Sequence, residues 1–301
     1  MIKDLPTEQR NPNSMRIDSV PTEELVNIFN AADHRVADAV ATQKTAIARA
    51  IDEASARYNQ GGRLIYCGAG TSGRLGVLDA VELVPTYGIS QDRAIGLIAG
   101  GQSAMYAAVE GAEDDPSLAQ QDLTKLNLNQ NDIVIGIAAS GRTPYVIGAL
   151  QTAHQVGALS IAVSCVSSSA ISAYADIPIE AVVGPEVVTG STRMGAGSAQ
   201  KMILNTISSG VMIKAGKVYQ NLMVDVLPTN QKLVDRAIRI IAATTGVDEN
   251  VAQAALAHAH NVVPTAIVMA QTGLDEAKAK ALLAQHHGVI SQVLSDWQAQ
   301  L

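Results

Sequence analysis

Five apolar runs constrain this chain more than any other feature. LIYC at 64–67, AIGLIA at 94–99, IVIGIAA after Asp132, ALSIAVSC from Ala158 and IPIEAVV from Ile177 are short and nearly continuous. A strand with one wet face alternates apolar and polar residues, whereas a continuous run is covered on both sides. Segments of helical spacing lie between and after the runs, at about 74–84, 103–110 and 117–126, as a turn plus helix over 140–157, and at about 194–216. Strand, helix, strand in succession predicts a parallel sheet, doubly wound, with helices on both faces. Upstream, residues 1–20 read as an extended polar arm with Pro6 and Pro12, and 22–60 as two helices stopped by Gly61-Gly62. Downstream the character changes. Residues 228–301 form short amphipathic helical units broken by Gly, Asn and Pro, so the predicted organisation is a domain over 1–227 and a small helical bundle over 228–301.

Composition excludes several classes. A formal net charge of -7 with no Lys/Arg cluster argues against a broad nucleic-acid surface. Two cysteines, Cys67 and Cys165, each at the end of an apolar run, read as reduced buried thiols. The start MIKDLPTEQR lacks the apolar stretch of a signal peptide, and no run reaches the ~18 apolar residues of a membrane span. The expectation is a cytoplasmic protein with no membrane partner.

Gly68, Gly70 and Gly73 in CGAGTSGR spell G-x-G-x-x-G directly after a strand, the pattern of a dinucleotide turn. The reading fails its own check. The acid that should hold the ribose about 20 residues on is missing, because the second run ends in Gly100-Gly101-Gln102 and Asp92 precedes it. What does recur is glycine, hydroxyl and arginine at a helix start: Gly70-Thr71-Ser72-Gly73-Arg74, Ser140-Gly141-Arg142-Thr143, and Gly190-Ser191-Thr192-Arg193. Free N–H groups, the helix dipole and hydroxyl donors together suit a small phosphorylated polyol. The competing reading is that these Ser and Thr are ordinary N-caps. No Walker lysine follows the glycines.

Acid–base candidates are carboxylates. Asp79 and Glu82 fall near the direction of Leu75 and Leu78 on an otherwise apolar helix, so an acid there is expected to be partly desolvated and its pKa raised. Glu113, in GAEDD, lies on a loop expected near the sheet edge. Two carboxyl groups in different environments divide proton removal from proton donation. The alternative is that Asp79 or Glu82 caps a loop or points at solvent. His258 and His260 are two apart on a helix and share no face, and no Cys/His set has zinc spacing, so neither a metal nor another cofactor is expected.

Taken together, TEQRNPNS, GRLIYCGAGTSGRLGVLDAVE, VEGAEDD, GIAASGRTPYV, GPEVVTGSTRM and AGSAQKMILN resemble the N-acetylmuramic acid 6-phosphate etherase family of the sugar isomerase (SIS) superfamily, related to glucokinase regulatory protein. The resemblance runs essentially end to end. It implies a SIS-type sheet with flavodoxin-like layering, a UBA-like tail and a homodimer whose subunits complete each other's sites. It implies elimination of D-lactate from C3 of an amino sugar phosphate followed by hydration, with no cofactor. Glu82 would donate the proton to the leaving lactate and Glu113 would be its acid–base partner. Ser72, Ser140 and Thr143 would hold the phosphate and Arg193 would reach the sugar or the lactyl carboxylate. Two positions depart from the family pattern: Gly195 stands for a lysine and Val166 for a common asparagine. A non-catalytic sugar-phosphate sensor is the alternative, but both glutamates stand.

Overall fold

In the computed structural model, which describes residues 6–226 and 231–299, all five apolar runs are strands of one parallel sheet. They are β1 (Leu64–Gly68), β2 (Ala94–Ile98), β3 (Ile133–Ile137), β4 (Leu159–Ser164) and β5 (Ile177–Glu180), in the order β2-β1-β3-β4-β5. Every residue of β1, β3 and β4 is buried, as continuous apolar runs require. Ile65, Cys67, Val134 and Ala162 point to one face, where α4 (Pro116–Lys125) and α5 (Pro144–Val156) supply Leu123, Val146 and Leu150. The opposite face takes α2 (Lys44–Asn59), which follows α1 (Thr22–Ala41), and α3 (Gly70–Tyr87). The sheet is therefore covered on both sides.

Register is pinned at the start of the central strands. Asp132 is fully buried just before β3, and Arg63 just before β1 reaches it with Nε to Oδ1 at 2.9 Å and Nη2 to Oδ2 at 2.6 Å. The Arg63 backbone N–H also donates to Oδ1, and Nη1 donates to the Leu126 carbonyl. These bonds sit beside the pairing of Leu64 with Ile133, so a slip of one residue would leave a buried carboxylate uncompensated.

Three expectations change. Helix α3 begins at Gly70, four residues before the predicted start, because the glycines themselves form its first turn. The helix expected over 103–110 is only a 3-10 turn, Gln102–Met105, entered through Gly100 and Gly101 at positive φ. Over its described residues the N-terminal arm is not extended, residues 1–5 lying outside them: it makes 3-10 turns at Pro6–Glu8 and Pro12–Ser14 and is tied down by Asn11 Nδ2 on the Pro185 carbonyl and Ser14 Oγ on that of Val187.

The chain divides into two compact units. One runs up to Glu82 and from Gln91 to Ser208; the other comprises Leu83–Ser90 and the chain from Ser209 onward, so α3 and the long helix α6 (Gly195–Lys214) each pass from one unit into the other. The second unit also carries a two-stranded hairpin that the sequence pattern did not suggest, β6 (Val218–Tyr219) and β7 (Leu222–Met223). Five short helices follow: α7 (Gln231–Thr245), α8 (Glu249–His258), α9 (Val263–Thr272), α10 (Glu276–Gln285) and α11 (Ile290–Gln298). Ile241, Leu256, Ile267, Leu283 and Val293 form their common core. Asp248 and Asp275 cap α8 and α10, accepting first-turn N–H groups. Among the described residues no helix is long and apolar enough to cross a membrane.

Burial alone would push the Asp132 carboxyl up, but Arg63 and the Asn129 N–H outweigh it and hold it below the usual carboxylate range. A depressed carboxyl contributes its full stability above about pH 4 and loses it as pH falls through the depressed value. We predict that Asp132→Asn lowers the urea midpoint at pH 7, and that the loss shrinks as both proteins are titrated below about pH 4.

Candidate active site

The order 2-1-3-4-5 reverses direction between β1 and β3, and open parallel sheets bind ligands outside the carboxyl ends of the strands at that point. Both glycine-hydroxyl turns lie there. Gly68 closes β1 and leads into α3, while Ile137 closes β3 beside it and leads through Ser140 to α5.

Glycine lets α3 start against the strand. A Cβ on Gly73 would come within 2.7 Å of the Gly68 carbonyl oxygen and of Ile98 Cγ1, and Gly73 N–H instead donates to the Ala69 carbonyl. The N–H groups of Gly70, Thr71 and Ser72 have no earlier turn to bond to and stand at the positive end of the helix dipole. Neither key hydroxyl is spent as a cap. Thr143 is the N-cap residue of α5 yet makes no side-chain cap bond, and Ser72 Oγ donates to Gln200 Oε1 at 2.9 Å. The N-cap reading therefore does not account for them.

A cavity of about 260 Å³ opens at the first turn of α3. Ala69, Gly70 and Arg74 line one side; Ala104, Val109 and Glu113 line the other. Glu113 is exposed and sits in the 3-10 turn Ala112–Asp114, entered through Gly111 in the left-handed region. The predicted acid on the loop after β2 thus shares a cavity with the predicted anion turn. Two of the five Arg74 guanidinium N–H groups are taken by the fold: Nε donates to the Met105 carbonyl and Nη2 to that of Ala104, which braces the loop forming the far wall.

Other predicted residues are placed differently. Ser140, Gly141, Arg142 and Thr143 stand at the neighbouring turn, outside the lining of this cavity; Arg142 is exposed and Gly141 is buried at φ +67°. Val166, the departure from the family pattern, packs against that glycine, and a Cβ on Gly141 would lie 3.0 Å from its Cγ2. The third turn is not an open anion cradle. Glu186, 4% exposed, accepts from Gly195 N–H and Ala196 N–H at 2.9 Å each and so fills the N-terminus of α6 with the protein's own carboxylate. Ser191 is half-buried and Arg193 exposed beside it. A Cβ on Gly195 would meet Glu186 Oε2 at 3.1 Å, so a side chain there starts against that carboxylate.

The shared desolvated face expected for Asp79 and Glu82 is absent. Asp79 is buried and accepts from Tyr66 Oη at 2.6 Å, from Asn205 Nδ2 and from Ser208 Oγ, so it is a structural acid. Burial, with Asp79 alongside, pushes the Tyr66 hydroxyl well above the usual range. Glu82 is 60° further round and exposed, next to Leu78 and Val81, which are 52% and 59% exposed. It lies twelve residues from Gly70, about 18 Å along the helix axis, beyond the reach of a glutamate side chain to the cavity in its own chain. Burial also raises the Cys165 thiol, to about 12, and raises Cys67, which leaves both unreactive. Among the described residues no group of three His, Cys, Asp or Glu is placed to hold a metal ion.

Glucokinase regulatory protein N-terminal SIS domain matches residues 46–154, and the SIS domain model matches residues 112–209. Fold and turns together define a SIS-type α/β protein. Among solved structures, a phosphoheptose isomerase from Francisella tularensis aligns with a TM-score of 0.48 at 16% identity, covering 64% of this chain and 98% of that one. Much nearer in sequence, the N-acetylmuramic acid 6-phosphate etherase of Lactobacillus johnsonii is 68% identical over 266 residues, covering 88% of this chain and 89% of that protein. That of Lactobacillus acidophilus is 65% identical with the same coverage. The chain belongs to the N-acetylmuramic acid 6-phosphate etherase family, whose members are carbon–oxygen lyases.

The bracing by Arg74 is testable without substrate. Arg74→Met is expected to keep the sheet but speed amide exchange across 102–107 by tenfold or more, about 1.4 kcal/mol of local stability, with β1 and β3 unchanged.

Proposed function

We propose that the protein cleaves the D-lactyl ether of N-acetylmuramic acid 6-phosphate by elimination and hydration, giving N-acetylglucosamine 6-phosphate and D-lactate. The observation that carries this reading is the cavity that Glu113 shares with the first turn of α3; we read Glu113 as an acid–base group and that turn as its anion site. The phosphate is held by the N–H groups of Gly70, Thr71 and Ser72 and by hydroxyls of Ser72, Ser140 and Thr143. In the open-chain sugar the aldehyde acidifies the C2 proton. A carboxylate removes that proton, the C3–O bond breaks, and lactate leaves with a proton from a carboxylic acid. Water then adds its oxygen to C3 and C2 regains a proton, so one water is consumed and both acids return to their starting forms. Either one of two glutamates serves as the base at C2; Glu82 donates to lactate and Glu113 is its partner. The route uses no metal or nucleotide.

Glu82 is too far along α3 to serve its own cavity, so it works in that of a second copy. The exposed Leu78 and Val81 beside it support burial of this face in a homodimer. We read the protein as cytoplasmic and its tail as a UBA-like bundle, a reading supported by five short helices around one core. A non-catalytic sensor is not favoured, since relatives at 53–68% identity are named as the etherase.

Purified protein is expected to release stoichiometric D-lactate from N-acetylmuramic acid 6-phosphate without added metal or nucleotide; no release would remove the activity. Glu82→Gln and Glu113→Gln should each fold and lose at least about a hundredfold in lactate release. Co-expressing the two inactive variants is expected to restore about a quarter of wild-type activity, because half the dimers are mixed and each carries one intact site. No recovery would place both glutamates in one subunit.

A further inference from the structure

Gln200 is 1% exposed and sits in the second turn of α6. Its Oε1 accepts the Ser72 hydroxyl proton, while its Nε2 is buried with no hydrogen-bond partner. Buried unpaired N–H groups are rare, and each carries a cost of about 1–3 kcal/mol, so this one calls for a reason. Its neighbourhood supplies one. Ser72 lies in the first turn of α3, and the two helix starts are packed together: a Cβ on Gly197 would lie 3.6 Å from the Thr71 methyl. The unsatisfied donor therefore stands directly behind a hydroxyl of the anion turn.

A serine hydroxyl has one proton and can also accept. As the structure stands, that proton goes to Gln200 and is unavailable to a ligand. An anion at the α3 N-terminus needs it. When Ser72 turns its proton to the anion, its oxygen is left to accept a bond, and Gln200 can give one by rotating its amide half a turn, which exchanges Oε1 and Nε2 in nearly the same volume. The unpaired donor is then satisfied, and an unpaired carbonyl, the milder defect, replaces it.

We propose that Gln200 is a positioning residue for phosphate binding. It takes the Ser72 proton when the site is empty and donates to the Ser72 oxygen when the site is filled, aiming the hydroxyl at the phosphate. This rests on the reading of Ser72 as a phosphate ligand. Its neutrality is part of the device. A carboxylate at this position would accept the Ser72 proton in both states and would set a negative charge behind the anion.

Three variants separate the outcomes in steady-state lactate release from N-acetylmuramic acid 6-phosphate. Gln200→Met is expected to raise KM about tenfold with kcat within about threefold, the loss of one oriented hydrogen bond. Gln200→Glu retains the acceptor that Ser72 uses, and so the fold, yet is expected to raise KM further, increasingly as the new carboxyl ionises. In a Ser72→Ala background Gln200→Met should have no additional effect on KM, whereas a merely structural glutamine would lower the melting temperature equally in both backgrounds. Ser72→Ala with a raised KM, together with unchanged KM in Gln200→Met and Gln200→Glu, would overturn the role of Gln200 alone. Unchanged KM in Ser72→Ala would overturn the phosphate reading beneath it. If Gln200→Met does not fold, Gln200→Glu decides: unchanged KM overturns the proposal, and a pH-dependent rise supports it.

Discussion

The contact on which the site depends is that between β1 and the first turn of α3. Gly68 and Gly73 meet backbone to backbone, at distances that a Cβ on either would violate. Only because the helix begins so close to the strand do its first N–H groups emerge at the switch point of the sheet, beside the turn that follows β3. The rest builds outward from there. Arg74, one residue further on, fastens the loop that carries the cavity wall toward Glu113, and Ser72 reaches back to Gln200 on α6.

Buried carboxylates are distributed with a clear division. Asp132 is paired with Arg63 where the strands begin, Asp79 is held by three neutral donors under α3, and Glu186 closes the start of α6. Each is consumed by structure. Glu113 and Glu82 are exposed instead, one in the cavity and one on a face with half-exposed Leu78 and Val81. The acids that fix the fold are satisfied from within, while the two proposed to exchange protons with a substrate are accessible.

Much of this was legible in the residues. The five strands followed from continuous apolar runs, because burial on both faces writes itself directly into composition. The position of two glycine-hydroxyl turns at the carboxyl ends of β1 and β3 followed from glycine and hydroxyls after a strand. What stayed hidden depends on partners distant in sequence. Glu186 occupies the third turn from nine residues upstream, and Gln200 meets Ser72 across 128 positions. The bonds of Arg74 to two carbonyls of the loop after β2 were equally hidden. The orientation of Asp79 against Glu82 failed for a local reason: both acids were assigned to one face, although a 60° step round the helix separates burial from solvent. Segment 103–110 had helical spacing, but only Ala104 is buried and 106–110 are exposed, so a helix that short would have no packed face to sustain it.

The most direct test of elimination and hydration is to follow atoms. N-acetylmuramic acid 6-phosphate would be turned over by the wild-type protein in deuterated water enriched in oxygen-18, and both products examined by NMR and mass spectrometry. The account predicts one solvent deuteron at C2 and one solvent oxygen at C3 of the N-acetylglucosamine 6-phosphate, with lactate keeping its original ether oxygen. Protium retained at C2, with the heavy oxygen found in lactate, would show displacement at the lactyl carbon and contradict the proposed mechanism.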